Sequence, residues 1–371
     1  MTTHPLRVGI VETASAITGS VISALNTANA LENQVEFFWV SPPNPDLAAR
    51  VQRWEPIQVP TPRRQLRAAL AYAPSLAFQA AHLARWARRH RLDVLHVNDF
   101  YNLLGVAARP LLRSLPLVYH VRLMPEAYLR PVWKPLVGAV CAAADRVLCV
   151  SRAVQRAVPW ATELLHDGAP VPERPRGPAA PQDQPLRILV LSHFIPGKGQ
   201  DLALEAFRLA HARAPRLRLS FVGGDLGLPR NQAFRARIQD RVRFFGLDPF
   251  VDFSPFAADP GDAYRGADIL LNLSESESFS MVCLEGLLHG VPLVASDCGG
   301  PRELFEHRAS GWLVPNRGVP EAADALVRLA EDQALRERLG SEGRAQASRR
   351  FAIEHTSARL LAIYHELTGR A

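Results

Sequence analysis

The sequence has little cysteine, almost no lysine and no long apolar run. Its 371 residues include four cysteines, none in a Cys-x-x-Cys pair, and each falls in an apolar segment. That placement is typical of reduced core thiols in a cytosolic protein. No apolar stretch approaches the roughly 20 residues of a membrane-spanning helix, and no charged-then-apolar leader precedes Leu6. We therefore expect a cytoplasmic protein.

Familiar phosphate, dinucleotide and metal motifs are also missing. Gly197-Lys198-Gly199 lacks the earlier glycine and the following Ser or Thr of a P-loop. The turn at Gly223-Gly224-Asp225 is not Gly-x-Gly-x-x-Gly, so nothing argues for a nicotinamide cofactor. The sequence has no Asp-x-Asp pair to clamp a metal ion. We expect an activity that needs neither a metal nor a cofactor.

The basic charge is placed unevenly. Residues 1–180 hold 20 Lys plus Arg against 12 Asp plus Glu, whereas the remainder holds 23 against 24. Residues 63–91 interleave seven arginines with Leu, Phe and Trp. This segment is either a basic amphipathic surface that rests on anionic lipid or a pair of ordinary helices with solvated arginines. No recognition motif accompanies the charge, so a nucleic-acid partner is not expected.

Short apolar runs alternate with helical patterns in both halves of the chain. This alternation predicts two α/β domains with parallel sheets. Six prolines between residues 170 and 185 predict a stiff linker that separates a domain at 1–169 from one at 186–353. The predicted strands include Leu6–Val11, Val35–Val40, Leu92–Val97, Leu115–Val121, Leu186–Leu191, Leu217–Val222, Val242–Gly246, Ile269–Leu273, Val291–Ala295 and Gly311–Pro315. Helices are predicted at Gln200–His211 and at about 320–339 and 354–368.

The most informative stretch is residues 268–303. A buried strand is predicted to end at Leu273, and a polar turn leads into a helix that Ser280 is placed to cap. Glu277 lies in the turn and Glu285 lies about one turn inside the helix. The free N–H groups near Ser280 and Met281 lie between them and form a site for an anion. A sugar joined to a nucleoside through a diphosphate matches this layout, because it presents hydroxyls, then phosphates, then a ribose diol.

Each of these glutamates alone would more often be a solvated surface residue. The surrounding run makes the pattern specific, because it resembles the signature of the retaining glycosyltransferases of family 4, the group 1 glycosyl transferases. The matching segments are Glu277-Ser-Phe-Ser, Glu285-Gly, Gly290-Val-Pro-Leu-Val-Ala and Gly299-Gly-Pro-Arg-Glu303. The resemblance implies a B-type fold, in which two Rossmann-like domains face each other across a cleft. It also implies that the last helix, about 354–371, crosses back onto the first domain.

The resemblance assigns roles in the second domain. Glu285 would hold the ribose diol, and Glu277 would bind hydroxyls of the donor sugar. Lys198 matches the family lysine that neutralises the diphosphate, and His193 stands where the family has arginine. The N–H groups near Ser280 and Met281 would share the charge of the leaving diphosphate.

Three positions of the first domain carry further expectations. His120 matches a family histidine that ends a strand and bonds the donor sugar. Gly19 stands where the family has a Gly-rich turn toward the donor phosphates, although an ordinary strand-to-helix turn explains it equally well. Asp167 stands where the family usually has asparagine.

The reaction implied is transfer of a sugar from a nucleotide-diphosphate sugar to an acceptor hydroxyl with retention of configuration, in cell-envelope or polysaccharide synthesis. His120, Glu277 and Lys198 are the expected catalytic residues. The acceptor would be a sugar or a lipid-linked molecule, and residues 63–91 would bring the enzyme to the inner face of the membrane. The alternatives are a nucleotide-sugar epimerase or glycoside phosphorylase on the same scaffold, or a non-catalytic nucleotide-sugar-binding partner.

Overall fold

The computed structural model describes residues 4–60, 66–124, 133–177, 184–256 and 260–370, with side chains of the segment that begins at 66 described from 72 onward. The chain divides into two compact units, Met1–Gly168 with Ile353–Ala371, and Ala169–Ala352. Arg63 and Arg64 of the basic segment lie outside the described residues, as does the side chain of Arg67.

The first unit is built on a parallel sheet of seven strands in the order β3-β2-β1-β4-β5-β6-β7. The strands are β1 (Leu6–Val11), β2 (Val35–Ser41), β3 (Trp54–Pro56), β4 (Val94–Asn98), β5 (Leu117–Val121), β6 (Arg146–Cys149) and β7 (Glu163–Leu164). The helices are α1 (Gly19–Ala30), α2 (Pro45–Ala48), α3 (Leu66–Arg89), α4 (Leu104–Ala108), α5 (Trp133–Ala143) and α6 (Arg152–Ala157). The central strands are buried apolar runs, as expected where helices cover both faces of a parallel sheet.

The second unit holds a parallel sheet of six strands in the order β10-β9-β8-β11-β12-β13. The strands are β8 (Leu186–Leu191), β9 (Leu217–Val222), β10 (Val251–Ser254), β11 (Ile269–Asn272), β12 (Leu293–Ser296) and β13 (Trp312–Val314). The helices are α7 (Gln200–His211), α8 (Pro229–Phe244), α9 (Pro260–Arg265), α10 (Met281–Leu288), α11 (Val319–Glu331) and α12 (Gln333–Phe351). The strand order reverses between β8 and β11, and ligands of open α/β sheets bind beside such a switch point.

The last helix, α13 (Ile353–Thr368), completes the core of the first unit. Its Leu360, Ile363 and Tyr364 are buried among side chains of α1 and of β1, β4 and β5. The Tyr364 hydroxyl lies 2.7 Å from His96 Nδ1, and the Thr356 hydroxyl donates to the His166 carbonyl oxygen at 2.9 Å. Because these contacts extend from Thr356 to Tyr364, they hold the helix against the first unit over most of its length.

The prediction of a strand at Val242–Gly246 is wrong. Val242 belongs to α8, which ends at Phe244, and the sheet uses β10 instead. Val242 is buried together with Phe234 and Ile238, each four residues from the next, which is the spacing of one face of a helix. The apolar run at 242–246 is too short to show the helical spacing, which becomes visible only over the longer segment from Phe234 to Val242.

The helix predicted at 320–339 is two helices. Asp332 separates α11 from α12, and its side chain accepts a hydrogen bond from the Leu335 N–H at 2.9 Å. An aspartate in this position satisfies an N–H group that the start of a helix leaves open. Among the described residues, no helix combines the length and apolar character needed to cross a bilayer.

Candidate active site

The turn after β11 is held by its own side chains. The Ser296 hydroxyl donates to the Ser274 carbonyl oxygen at 2.5 Å, and the Ser274 N–H donates to Asn272 Oδ1 at 3.1 Å. Further along, the Gly300 N–H donates to the Glu277 carbonyl oxygen at 2.8 Å. These bonds anchor the backbone on both sides of the Glu277 side chain.

Glu277 and Lys198 form an ion pair at this edge of the sheet. Lys198 Nζ and the Ser274 hydroxyl both donate to Glu277 Oε1 at 2.8 Å. The carboxylate raises the pKa of Lys198, so the ammonium stays charged at any physiological pH. The Lys198 side chain is 36% exposed and that of Glu277 is 13% exposed, so the pair lies partly open to solvent.

Two glycines bring Lys198 to this place. Gly197 and Gly199 have φ values of +95° and +79°, which other residues rarely adopt. A Cβ atom on Gly199 would lie 2.1 Å from the Leu273 carbonyl oxygen. The loop can therefore approach the end of β11 only with glycine at position 199.

The prediction that Ser280 caps α10 is wrong. Its side chain makes no capping hydrogen bond, because the residue has φ +81° and ψ +86° whereas a capping residue is extended. Its hydroxyl instead lies 3.4 Å from Asn272 Nδ2 as that group's acceptor. Ser280 therefore leaves the N–H groups of the first turn, which begins at Met281, unsatisfied by a side-chain cap. This is the feature that an anion-binding helix start requires.

Glu285 lies one turn into α10 beside Tyr264, a residue that the sequence analysis missed. The Tyr264 hydroxyl donates to Glu285 Oε2 at 3.0 Å and lies 3.3 Å from the Val282 carbonyl oxygen. Burial raises the pKa of Glu285 to about 7, and the bond from Tyr264 opposes the shift. A tyrosine in the short helix before a strand carries no sequence signal for this contact, since only the packing of α9 beside α10 brings the two together.

His193 lies at the end of β8. Its Nδ1 is 3.3 Å from the Gly224 carbonyl oxygen, so that nitrogen carries the proton. Its ring meets Phe256 edge to face, with centroids 4.7 Å apart. The imidazole is therefore oriented by two neighbours at the same edge of the sheet.

In the first unit, Gly19 is the exposed first residue of α1, and His120 is buried near the end of β5. Asp167 forms a buried ion pair with Arg122, two residues beyond His120. The aspartate that departs from the family pattern is therefore the counter-ion of a buried arginine. Neither Arg122 nor this pairing was predicted from the sequence.

No group of three or more His, Cys, Asp or Glu side chains suited to a metal ion occurs within the described ranges. The polar groups gathered at the edge of the second sheet are instead a cation, two carboxylates and a helix start. Such a set suits a ligand that carries both anionic oxygens and hydroxyls.

Two family models match the chain. Residues 173–346 match the model described as glycosyl transferases group 1, and residues 17–159 match the model described as glycosyltransferase family 4. Together the two models cover most of the sequence. The chain belongs to this glycosyltransferase family, as its Glu277 to Glu303 segment indicated.

Curated relatives match over part of their length. The D-inositol 3-phosphate glycosyltransferase of Kribbella flavida is 33% identical over 191 residues, which are 50% of this chain and 45% of that protein. The amylovoran biosynthesis glycosyltransferase AmsK of Erwinia amylovora is 29% identical over 153 residues, 41% of this chain and 37% of that protein. The chain thus spans about half the length of the curated relatives it matches, or less.

Solved structures confirm the predicted B-type fold. HepE of Anabaena, in a complex with UDP-glucose, has a TM-score of 0.82 at 20% identity, over 97% of this chain and all of that one. Sucrose-phosphate synthase of Thermosynechococcus elongatus has a TM-score of 0.77 at 19% identity, over 98% of this chain and 99% of that one. At such identities the likeness concerns the fold.

Proposed function

We propose that the chain is a retaining glycosyltransferase that moves a sugar from a nucleotide-diphosphate sugar to an acceptor hydroxyl in glycan synthesis. The observation that carries this proposal is the Lys198–Glu277 ion pair beside the uncapped start of α10. The family supports it, as do HepE with its UDP-glucose and AmsK with its part in amylovoran biosynthesis. UDP-sugars are therefore the first donors to test.

Charge on the leaving diphosphate is the main demand of this reaction. Lys198 and the N–H groups at the start of α10 supply fixed positive charge and dipoles, which are worth most when they are already in place. His193 lies at the same sheet edge and would help to stabilise the charge of the diphosphate. The role that the family resemblance implies for Gly19, toward the donor phosphates, stays a prediction. No metal ion is needed in this scheme.

The carboxylates bind hydroxyls. Glu277 commits Oε1 to Lys198 and Ser274, which leaves Oε2 for the donor sugar. Glu285, one turn further along α10, would hold the ribose diol. The bond from the anomeric carbon to the phosphate oxygen breaks, and a bond to the acceptor oxygen forms on the same face of the sugar. The acceptor proton passes to the leaving diphosphate.

A two-stage experiment tests this function. Thermal stabilisation by UDP, GDP and ADP identifies the base, since a ligand at one hundred times its Kd adds about 2.7 kcal/mol. Transfer from the matching nucleotide-sugar to an acceptor is then assayed in the presence of a chelator. Loss of activity in chelator with recovery in Mg²⁺ would contradict the metal-free scheme. Release of sugar phosphate in inorganic phosphate would favour a phosphorylase, and nucleotide binding without turnover of any donor would favour a non-catalytic partner.

Glu285→Ala should weaken the binding of free nucleotide diphosphate and of the intact donor to the same extent. A hydrogen bond to a charged group contributes about 1.5–3 kcal/mol, so we expect Kd to rise about 10- to 150-fold in calorimetry. The ionised carboxylate is the better acceptor for two hydroxyls. Because its pKa is about 7, wild-type affinity should fall as the pH drops below 7.

Two comparisons make that result specific. Glu306→Ala changes an exposed carboxylate of the same unit and should leave Kd unchanged. Titration of the phosphate also contributes to the pH dependence, so the component assigned to Glu285 is the difference between wild type and Glu285→Ala. An unchanged Kd in folded Glu285→Ala would remove this residue from the site.

Glu277→Gln should spare the binding of free nucleotide diphosphate and reduce turnover about 10- to 150-fold. The reason is that Glu277 is assigned to the hydroxyls of the donor sugar. Loss of this charged hydrogen-bond acceptor should therefore lower the rate of transfer and not the affinity for the nucleotide. Glu275→Gln is the matched control, since Glu275 lies in the same turn and pairs with Arg317 instead. Equal losses of affinity for free nucleotide and donor would show that the roles are misassigned.

The first unit should bind anionic membranes, where a lipid-linked acceptor would lie. Helix α3 exposes Phe78, with 64% of its surface accessible, together with Arg85, and each basic residue near such a surface is worth about 1 kcal/mol. Sedimentation with anionic vesicles should therefore occur at low salt and weaken at high salt. The double change Phe78→Ser, Arg85→Gln should reduce it. Phe244→Ser changes an 84% exposed site of the second unit and should leave sedimentation unchanged. If the wild-type protein does not sediment with anionic vesicles even at low salt, a soluble acceptor is favoured.

A further inference from the structure

A hydrogen bond between two buried side chains decides what His120 can do. Arg122 Nη2 lies 3.1 Å from His120 Nδ1, and both residues are almost fully buried. A guanidinium is always protonated and has only donors. The nitrogen that faces it must therefore accept, which leaves the single proton of a neutral imidazole on Nε2.

We propose that Arg122 is a positioning residue that holds His120 as the neutral tautomer with its proton on Nε2, so that His120 acts toward a ligand only as a hydrogen-bond donor. The part that concerns a ligand rests on the proposed function together with the role that the family resemblance implies for His120, a hydrogen bond to the donor sugar. The tautomer itself does not depend on that function.

Arg122 is anchored on several sides, so it cannot release the ring easily. It is ion-paired with Asp167, and it donates to the Ser23 hydroxyl oxygen at 2.9 Å and to Asn98 Oδ1 at 3.1 Å. Glu12 fixes the orientation of Asn98, because its Oε2 accepts from Asn98 Nδ2 at 2.7 Å. A carboxylate can only accept, so the amide must turn its oxygen toward Arg122.

The surroundings keep the ring neutral. Burial lowers the pKa of His120 well below its usual value, and the charge of Arg122 and the neighbouring His96 act in the same direction. The His96 ring is 5.6 Å away between centroids, and its own pKa is lowered to about 3, mainly by burial. The Leu165 carbonyl opposes the shift on His120. The Leu165 carbonyl oxygen does not accept a hydrogen bond from Nε2, and that nitrogen has no hydrogen-bond partner among the described residues.

The consequence is chemical. A fixed Nε2–H can donate a hydrogen bond but cannot accept one, and in this structure the atom is buried. It cannot take the proton of the acceptor hydroxyl, because the other nitrogen faces a cation. His120 is thereby excluded as the general base, in agreement with a mechanism in which the leaving diphosphate receives that proton.

Nuclear magnetic resonance of the full chain labelled with ¹⁵N-histidine tests the assignment directly. Two-bond ¹H–¹⁵N correlations distinguish protonated from unprotonated ring nitrogens, and loss of one set of signals in His120→Asn assigns the residue. At pH 7 without ligand, we expect an unprotonated Nδ1 and a protonated Nε2. The opposite tautomer, or an imidazolium, would overturn the proposal.

Two variants separate the effect of Arg122 from burial. Arg122→Met removes the donors, and the His120 Nδ1 resonance should shift. Tyr364→Phe removes the hydroxyl at 2.7 Å from His96 Nδ1 and should shift His96 alone. An unmoved Nδ1 signal in folded Arg122→Met would show that Arg122 does not position the ring. If that variant fails to fold, the wild-type spectrum still decides the tautomer.

The proposed function can fail separately, because the spectrum requires neither donor nor turnover. A His120→Asn chain that transfers sugar at the wild-type rate would overturn the donor role of His120. The tautomer would stand on the spectrum alone.

Discussion

Lys198→Ala should lower the rate of sugar transfer by about 10²- to 10³-fold, the effect of removing one preorganised group that stabilises developing negative charge. Lys198 is the cation of the proposed diphosphate site, and Glu277 keeps it charged by raising its pKa. The ammonium, still paired with Glu277, would contact the phosphates of the bound donor, so both Kd and kcat should change. Steady-state kinetics with the donor identified in the nucleotide screen measures the loss.

The chain provides an unusual control, since Lys134 is its only other lysine. Lys134→Ala should leave transfer unchanged. An amine-selective reagent should modify Lys198 more slowly when nucleotide diphosphate is bound, while Lys134 reacts at the same rate with and without it. Full activity in Lys198→Ala, or equal labelling of Lys198 with and without nucleotide, would place the diphosphate elsewhere.

Asp167→Ala should destabilise the first unit by about 3–5 kcal/mol. The change leaves Arg122 charged and buried without its counter-ion, which is the costly way to break a buried ion pair. Denaturant unfolding, followed with a probe in the first unit, measures the loss. Glu366→Ala breaks the exposed pair with Arg359 and should cost about 1 kcal/mol or less.

A double variant checks the physical reason for that loss. Arg122→Met with Asp167→Leu removes both charges and fills the space with apolar atoms, and such replacements are often neutral for stability. We expect it to recover most of the stability that Asp167→Ala loses. If Asp167→Ala alone unfolds no more easily than wild type, the ion pair does not support the fold.

The regular parts of the fold followed from local patterns. The run at Leu186–Leu191 and the helix at Gln200–His211 lie where they were predicted, because an uninterrupted apolar run suits a strand covered on both faces and helical spacing marks a single buried face. The B-type fold followed from the family resemblance that the segment between Glu277 and Glu303 carries.

Patterns shorter than the element they belong to misled the sequence analysis. The run at Val242–Gly246 is too short to distinguish a strand from the end of α8, and only burial beside Ile238 decides it. Ser280 has the side chain of a capping residue, but its backbone is left-handed. A cap depends on the backbone dihedral angles as well as on the side chain, and the residue type alone does not set those angles.

By itself the sequence determined the family, the two α/β domains and the types of side chain at the end of β11, because these depend on the order and spacing of residues within short segments. Only the tertiary structure decided which side chains meet. Lys198 and Glu277 are 79 residues apart, Arg122 and Asp167 are 45 apart, and His96 and Tyr364 are 268 apart. Such contacts form when separate strands and helices pack against one another, and no local pattern encodes the distance at which their side chains come to lie.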